Sequence, residues 1–219
     1  MDSKISHIAF DMDGVIYNSE PFIAEAYRVA IERGKLRFQT PALGAIMAQI
    51  GKPVITIFRS LFPDIRPEEE AVIMTETLRA IGEMIREGRG EVFGGIPEVL
   101  DFLSRNAKLH VCSNGRRQYV ETILGHYDLA KYFQPVRTLE DAHFQHKGEL
   151  LRSYMELDGG PKSAFLMVGD RRADFEAAKF AGCGFVGCLW GHADPHELVG
   201  ATVLLKEPTE LRNILDYYG

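Results

Sequence analysis

The feature that most constrains this chain is a set of short apolar runs that each stop at a polar or glycine-bearing turn. Residues 5–10 form the first run, which ends in Asp11-Met12-Asp13-Gly14. Runs at 109–112, 164–168, 185–190 and 201–205 have the same character. Apolar stretches this short, bounded by turn residues, read as buried strands. Helical periodicity fills the gaps between them: Val99, Leu100 and Leu103 share one face of 97–103, and 117–124 and 148–157 behave alike. Strands alternating with helices predict a parallel α/β sheet covered on both faces.

The stretch from about residue 17 to 89 interrupts this alternation, with helical patterns and no convincing strand. Its clearest helix starts at Pro67. Proline suits the first helical position, and Glu68, Glu69 and Glu70 face the positive end of the helix dipole. Met74, Leu78, Ile81 and Ile85 then make a stripe at helical spacing. The expected organisation is an α/β core, residues 1–16 and 89–219, with a helical cap domain inserted at 17–88.

At 219 residues the chain is long enough for such a core and insert, and 46% hydrophobic with 26% charged residues is an ordinary globular composition. The net charge of -6, with no basic stripe, argues against a nucleic-acid surface. No apolar run approaches the roughly 20 residues a membrane helix needs, and no apolar leader opens the chain. Cys112, Cys183 and Cys188 are an odd, sparse set without zinc-ligand spacing, which suits a reducing compartment. The expectation is a cytoplasmic protein with no nucleic-acid or membrane partner, its oligomeric state left open. An acidic protein that handles an anionic substrate needs local positive charge, and a bound cation is the simplest source.

Four strand ends carry candidate chemistry. Asp11 and Asp13, two apart after the first run, read equally as a nucleophile beside a proton donor and as a capped turn. Ser113 and Asn114 follow the second run in Ser-Asn-Gly, which suits an anion site and a plain turn alike. Lys147 opens a helix, where its charge opposes the dipole; a broken local rule of this kind points to function, while a lone lysine is ordinarily solvated surface. Asp170 and Asp174 lie four apart where a strand gives way to a helix, as magnesium ligands or as a helix cap. Parallel α/β sheets gather ligands at the carboxyl ends of their strands, so these groups converge on one point, and four coincidental turns become improbable.

In order and spacing these residues resemble the haloacid dehalogenase superfamily: Asp-x-Asp-Gly-Val at 11–15, Cys-Ser-Asn at 112–114, Lys-Gly at 147–148 and Gly-Asp-x-x-x-Asp at 169–174. The helical insert resembles that superfamily's C1 cap. Gly94-Gly95-Ile96-Pro97 resembles its chain return, and Leu189-Trp190-Gly191 with Glu197-Leu198 resembles the tail of phosphoglycolate-phosphatase-like members. The resemblance implies a doubly wound, Rossmannoid parallel sheet with the first strand between those ending at Ser113 and Asp170. It implies a Mg2+-dependent phosphatase acting on a small phosphorylated metabolite through an aspartyl-phosphate. Asp11 would attack phosphorus, and Asp13 would protonate the leaving oxygen and then activate water. Ser113, Asn114 and Lys147 would hold the phosphoryl group. Asp11, the Asp13 backbone carbonyl and Asp170 would ligate magnesium, with Asp174 acting behind them or through water.

Three positions depart from the family pattern: Asn18 where Asp is common, Gly115 where a larger residue is common, and Gly148 where Pro also occurs. None removes a catalytic group. A dehalogenase would not need Asp13. A β-phosphoglucomutase-like mutase is the nearest rival, but Ile23 and Val54 fall where such relatives resemble one another in a His and an Arg. A phosphonatase would need a cap lysine such as Lys52, and a non-catalytic binding protein would be expected to have lost Asp11, Asp13 or Lys147. Lys52, in Gly51-Lys52-Pro53, is the candidate for substrate specificity ahead of Arg59 and Arg66. Asp141, His143 and His146, and likewise His192, Asp194 and His196, read as solvated loops.

Overall fold

The computed structural model describes residues 5–141, 144–192 and 194–217. The strands, in chain order, are β1 (His7–Phe10), β2 (Tyr17–Asn18), β3 (Glu91–Val92), β4 (Lys108–Val111), β5 (Phe165–Gly169), β6 (Gly184–Cys188) and β7 (Val203–Leu205). Five of them form a parallel sheet in the order β4-β1-β5-β6-β7. The first strand therefore sits between β4 and β5, as the resemblance implied. All four residues of β1 are buried, the condition that produces a continuous apolar run in place of alternation.

The helices are α1 (Glu20–Arg33), α2 (Leu43–Met47), α3 (Val54–Leu61), α4 (Pro67–Arg86), α5 (Ile96–Ser104), α6 (Arg117–His126), α7 (Lys147–Asp158), α8 (Arg172–Ala181) and α9 (Ile214–Tyr217). Successive strand side chains point to opposite faces, and both faces are covered. Ile8, Phe10, Val111 and Val168 pack in one apolar cluster with Leu100 and Leu103 of α5 and Ile123 of α6. Ala9, Phe165 and Met167 pack in a second with Leu150, Leu151 and Tyr154 of α7 and Ala178 of α8. This is the doubly wound α/β arrangement.

Between β1 and β4 the chain is helical except for a small ribbon, β2 pairing antiparallel with β3 through Tyr17↔Val92 and Asn18↔Glu91. Two-residue strands are too short to produce a sequence pattern, so the ribbon leaves no signal in the sequence. Helix α4 starts at Pro67 as expected. Its entry is held by Glu69, whose Oε2 accepts the Arg66 backbone N–H at 3.0 Å. The buried stripe differs from the expected one. Ile73, Thr77, Ala80, Ile81, Met84 and Ile85 are buried, while Met74 and Leu78 are only partly so. A threonine takes a core position there, which a search for apolar spacing passes over.

On the α7 side of the sheet, His7 and His110 meet with Nδ1 and Nε2 3.3 Å apart, beside Asp158, which Lys108 binds at 2.5 Å. The His110 ring also packs on Tyr154, with centroids 4.4 Å apart. Burial pushes His110 down to about 4, with Asp158 pulling the other way, and burial also lowers His7. The unfolded chain takes up a proton near pH 6.5 that folded His110 refuses until about 4, so stability falls as pH drops through that window. His110→Gln is expected to flatten this acid-side loss by on the order of 2–3 kcal/mol. Denaturant midpoints of the variant and the parent, compared at several pH values, measure it; parallel curves would rule the effect out.

Candidate active site

The sheet register places the site. Phe10 lies opposite Val111 on one side and Val168 on the other, so Asp11, Cys112 and Gly169 leave the sheet in one row. Backbone bonds extend that row, from Asp11 N–H to the Val168 carbonyl at 2.9 Å and from Cys112 N–H to the Phe10 carbonyl at 2.7 Å. The side chains of Asp11, Ser113 and Asp170 thus emerge at the same sheet edge.

Lys147 closes the group from the first turn of α7. Its ammonium is 2.9 Å from Asp11 Oδ1 and 2.6 Å from Asp174 Oδ1, and all three side chains are almost wholly buried. The lysine that sits against its helix dipole is therefore held by two carboxylates. Burial alone would lower its pKa, but Asp11 and Asp174 raise it, so it stays charged. Asp174 is fully engaged, since its Oδ2 also accepts the Arg171 N–H at 3.0 Å and so caps α8. Asp170 is not the cap of that helix. Its Oδ2 accepts the His192 N–H at 2.7 Å.

Two oxygens remain. Asp11 Oδ2 and Asp170 Oδ1 are buried and have no hydrogen-bond partner among the described residues. Asp11, Asp170 and Asp174 each place a carboxylate oxygen within 4.8 Å of the others, a group able to hold a metal ion. Burial and then the neighbouring carboxylates push the pKa of Asp11 and Asp170 upward. Three buried carboxylates around one ammonium are short of positive charge, and two unpartnered hard oxygens at that point fit a divalent cation of the magnesium type.

Glycines make room for Asp170. Gly14 has φ +79°, and a Cβ there would lie 2.2 Å from Asp170 Oδ2; a Cβ on Gly191 would lie 2.4 Å from the same atom. Asp13 turns away from the three carboxylates. Its Oδ1 accepts the Tyr119 hydroxyl at 2.5 Å and the Ser19 hydroxyl at 3.2 Å. Burial raises the Asp13 pKa, and these two donors work against that rise. Gly115 matters here, because a Cβ at that position would stand 2.9 Å from the Tyr119 ring. The departure from the family pattern at Gly115 thus accompanies a tyrosine that reaches Asp13.

Ser113 is buried, with Oγ accepting the Gly115 N–H at 3.0 Å; Asn114 donates to the Gly51 carbonyl at 2.6 Å, and its buried Oδ1 has no partner among the described residues. A pocket opens over this floor. Asp11, Asp13, Ser113 and Asn114 line one side, and side chains of α1, α3 and α4 line the other. Lys52 is at its rim, exposed and donating to Gln49 Oε1 at 2.9 Å. Arg59 and Arg66 are drawn off by Glu70 and Glu69.

Sequence reasoning missed Tyr119, Ser19 and His192. His192 reads as solvated in the sequence, yet its backbone holds Asp170 and its half-buried ring carries an Nε2 with no partner among the described residues. A hydroxyl two turns beyond a motif gives no periodic signal. Asp194 does cap its own turn, at 2.9 Å from the His196 N–H, and Asp141 ties Thr138 to Arg117. His146 packs edge-on against Phe180, and His143 lies outside the described residues.

The haloacid dehalogenase-like hydrolase family matches residues 8–188. A 5'-nucleotidase of Pseudomonas aeruginosa is 29% identical over 199 residues, covering 89% of this chain and 87% of its own. A phosphoglycolate phosphatase of Salmonella choleraesuis is 28% identical over 234 residues, covering 94% and 87%. Among solved structures, CbbY from Rhodobacter sphaeroides in complex with phosphate has a TM-score of 0.80 at 18% identity, covering 94% of this chain and 96% of that one. A hydrolase from Pseudomonas syringae also has a TM-score of 0.80, at 23% identity, covering 97% and 98%. At such identities the structural likeness speaks for the fold.

The close approach of Gly14 to Asp170 gives a direct test of how tightly the site is built. Gly14→Ala forces a Cβ onto a left-handed backbone and into the carboxylate. It is expected to cost about 1–3 kcal/mol of stability and to weaken divalent-cation binding, read by denaturant titration and by calorimetry of Mg2+ binding. A variant with unchanged stability and cation affinity would mean that Asp170 has room to move.

Proposed function

Since the chain belongs to the haloacid dehalogenase-like hydrolases, we propose that it hydrolyses a small phosphorylated metabolite through a phosphoaspartate on Asp11, with Mg2+ as cofactor. The phosphatase class follows from the family and its named relatives. The observation that carries the mechanism is Asp11 itself: a buried carboxylate just past the end of β1, one oxygen held by Lys147 and the other unpartnered among the described residues, at the floor of a pocket.

In this reading Asp11 attacks phosphorus and the bond to the leaving oxygen breaks. Asp13 supplies the proton that the leaving alkoxide needs, then takes one from the water that cleaves the phosphoaspartate, returning Asp11 and inorganic phosphate. Tyr119 and Ser19 fix the Asp13 carboxyl for both transfers. Ser113, Asn114 and Lys147 bind the phosphoryl oxygens, and Lys147 offsets repulsion between the phosphate and Asp11. Asp11 and Asp170 would hold Mg2+ through their unpartnered oxygens, together with the Asp13 carbonyl; the ion supplies charge neutralisation for the phosphoryl group. Residues 17–88 serve as the cap that covers the pocket.

Hydrolysis is favoured over a mutase because Ile23 and Val54 line the pocket as aliphatic walls at the positions where mutase-like relatives resemble one another in a His and an Arg. Lys52 is exposed at the rim, which does not favour a Schiff base. With every motif residue present, a binding-only role has no observation behind it.

Asp11→Asn is expected to abolish turnover of p-nitrophenyl phosphate with Mg2+ while leaving the fold intact, since an amide is a poor nucleophile; phosphate release and circular dichroism measure the two. Activity above a trace, with deamidation excluded by mass spectrometry, would refute the covalent role. Asp170→Ala is expected to weaken Mg2+ affinity and activity together, seen as a rise in the Mg2+ concentration for half-maximal rate. An unchanged Mg2+ dependence would remove Asp170 from the ligand set.

A further inference from the structure

The pocket wall facing Asp11 is built for an apolar body. Ile23 and Tyr27 of α1, Ile57 and Phe58 of α3, and Leu78 and Ile81 of α4 line it. The cations that reach it stand at its edge. Lys52 is exposed and bonded to Gln49, and Arg116 is drawn to Glu140 at 3.1 Å and to the Met74 sulfur at 3.2 Å. A leaving group with a carboxylate, or one ringed with hydroxyls, would lose its water against these aliphatic and aromatic faces without gaining partners.

On the α4 side of this wall stands a polar atom without a partner among the described residues. Thr77 is 3% exposed and lines the pocket, and its Oγ1 has no hydrogen-bond partner among the described residues. Helical threonines ordinarily bond the carbonyl four residues back. Thr75 does so to Ala71 at 2.8 Å, and Thr122 to Gln118 at 2.6 Å. The hydroxyl of Thr77 makes no such bond. A buried hydroxyl left unsatisfied within an apolar wall costs stability, and a ligand group that pairs with it recovers that cost.

We infer that the substrate is a phosphomonoester of an alcohol with a compact apolar or aromatic body carrying one hydrogen-bonding group, which pairs with Thr77. The inference rests on the phosphatase reading of the same site and goes further by naming what leaves. It separates this chain from its phosphoglycolate phosphatase relatives, because glycolate presents a carboxylate and no apolar body.

The test compares primary-alcohol leaving groups, so that intrinsic reactivity is similar. With Mg2+, kcat/KM for benzyl phosphate is expected to exceed that for 2-phosphoglycolate and for ribose 5-phosphate by about ten- to hundredfold, the discrimination that one buried apolar group supplies. Among the ring-hydroxymethylated benzyl phosphates, at least one isomer is expected to gain a further fewfold to tenfold over benzyl phosphate. Thr77→Val should erase that gain, so that within the variant the favoured isomer falls to the level of benzyl phosphate, and Thr77→Ser should keep it. Preference for 2-phosphoglycolate or ribose 5-phosphate would overturn the apolar class. A gain that survives Thr77→Val, or no gain for any isomer, would overturn the role of Thr77. Acetyl phosphate, whose leaving group is too small to use the wall, serves as the control. Its turnover alongside failure of the benzyl series sinks only this inference, whereas no turnover of any of these compounds or of p-nitrophenyl phosphate sinks the phosphatase mechanism as well.

Discussion

The structure turns on a buried charge imbalance. Asp11, Asp170 and Asp174 are buried around the ammonium of Lys147. Charges so placed are costly unless each has a geometrically good partner. Asp174 has two, the Lys147 ammonium and the Arg171 N–H. Asp11 and Asp170 each keep one oxygen without a partner among the described residues. The surrounding fold holds the carboxylates in place despite their repulsion, and a cation at this point would relieve it.

The frame resists that repulsion because the residues are anchored in different elements. Asp11 directly follows β1, which is buried on both faces and paired with β4 and β5. Lys147 and Asp174 stand in the first turns of α7 and α8, which pack against the same face of the sheet. Gly14 and Gly191 let the backbone close over Asp170. The constraint passes outward as well: Trp190 Nε1 donates to the Val15 carbonyl at 3.2 Å, tying the loop that bears His192 to the loop that bears Asp13. A parallel sheet suits this task, since its strands deliver several loops to one edge while its own backbone bonds are satisfied within the sheet.

The helical insert supplies the other half of the pocket by a different physical route. Its contribution is apolar shape, set by side chains on three helices that are distant in sequence. Thr77 illustrates the difference. In sequence it is one polar residue in an amphipathic helix; in the structure its hydroxyl is a buried group lacking the usual helical bond. The expected stripe of Met74, Leu78, Ile81 and Ile85 has the right period but a shifted centre. Which helical face is buried depends on neighbours, and here α4 presents Leu78 and Ile81 to the pocket.

The sequence by itself determined the alternation of strands and helices, the start of α4 at Pro67, the strand-end positions of Asp11, Ser113 and Asp170, and the helix-start position of Lys147. Those follow from local rules: short apolar runs, turn residues, helix caps and fixed motif spacing. The tertiary structure decided the rest. It turned Asp13 toward Tyr119 and Ser19, made Asp174 a partner of Lys147, and used the His192 backbone to hold Asp170 in a loop that reads as solvated. It also added the β2–β3 ribbon and drew Arg59 and Arg66 away from the pocket into ion pairs. The physical reason is that periodicity records only whether a residue is buried, whereas a hydrogen bond between residues 106 positions apart, as between Tyr119 and Asp13, exists only once the strands have set the distance.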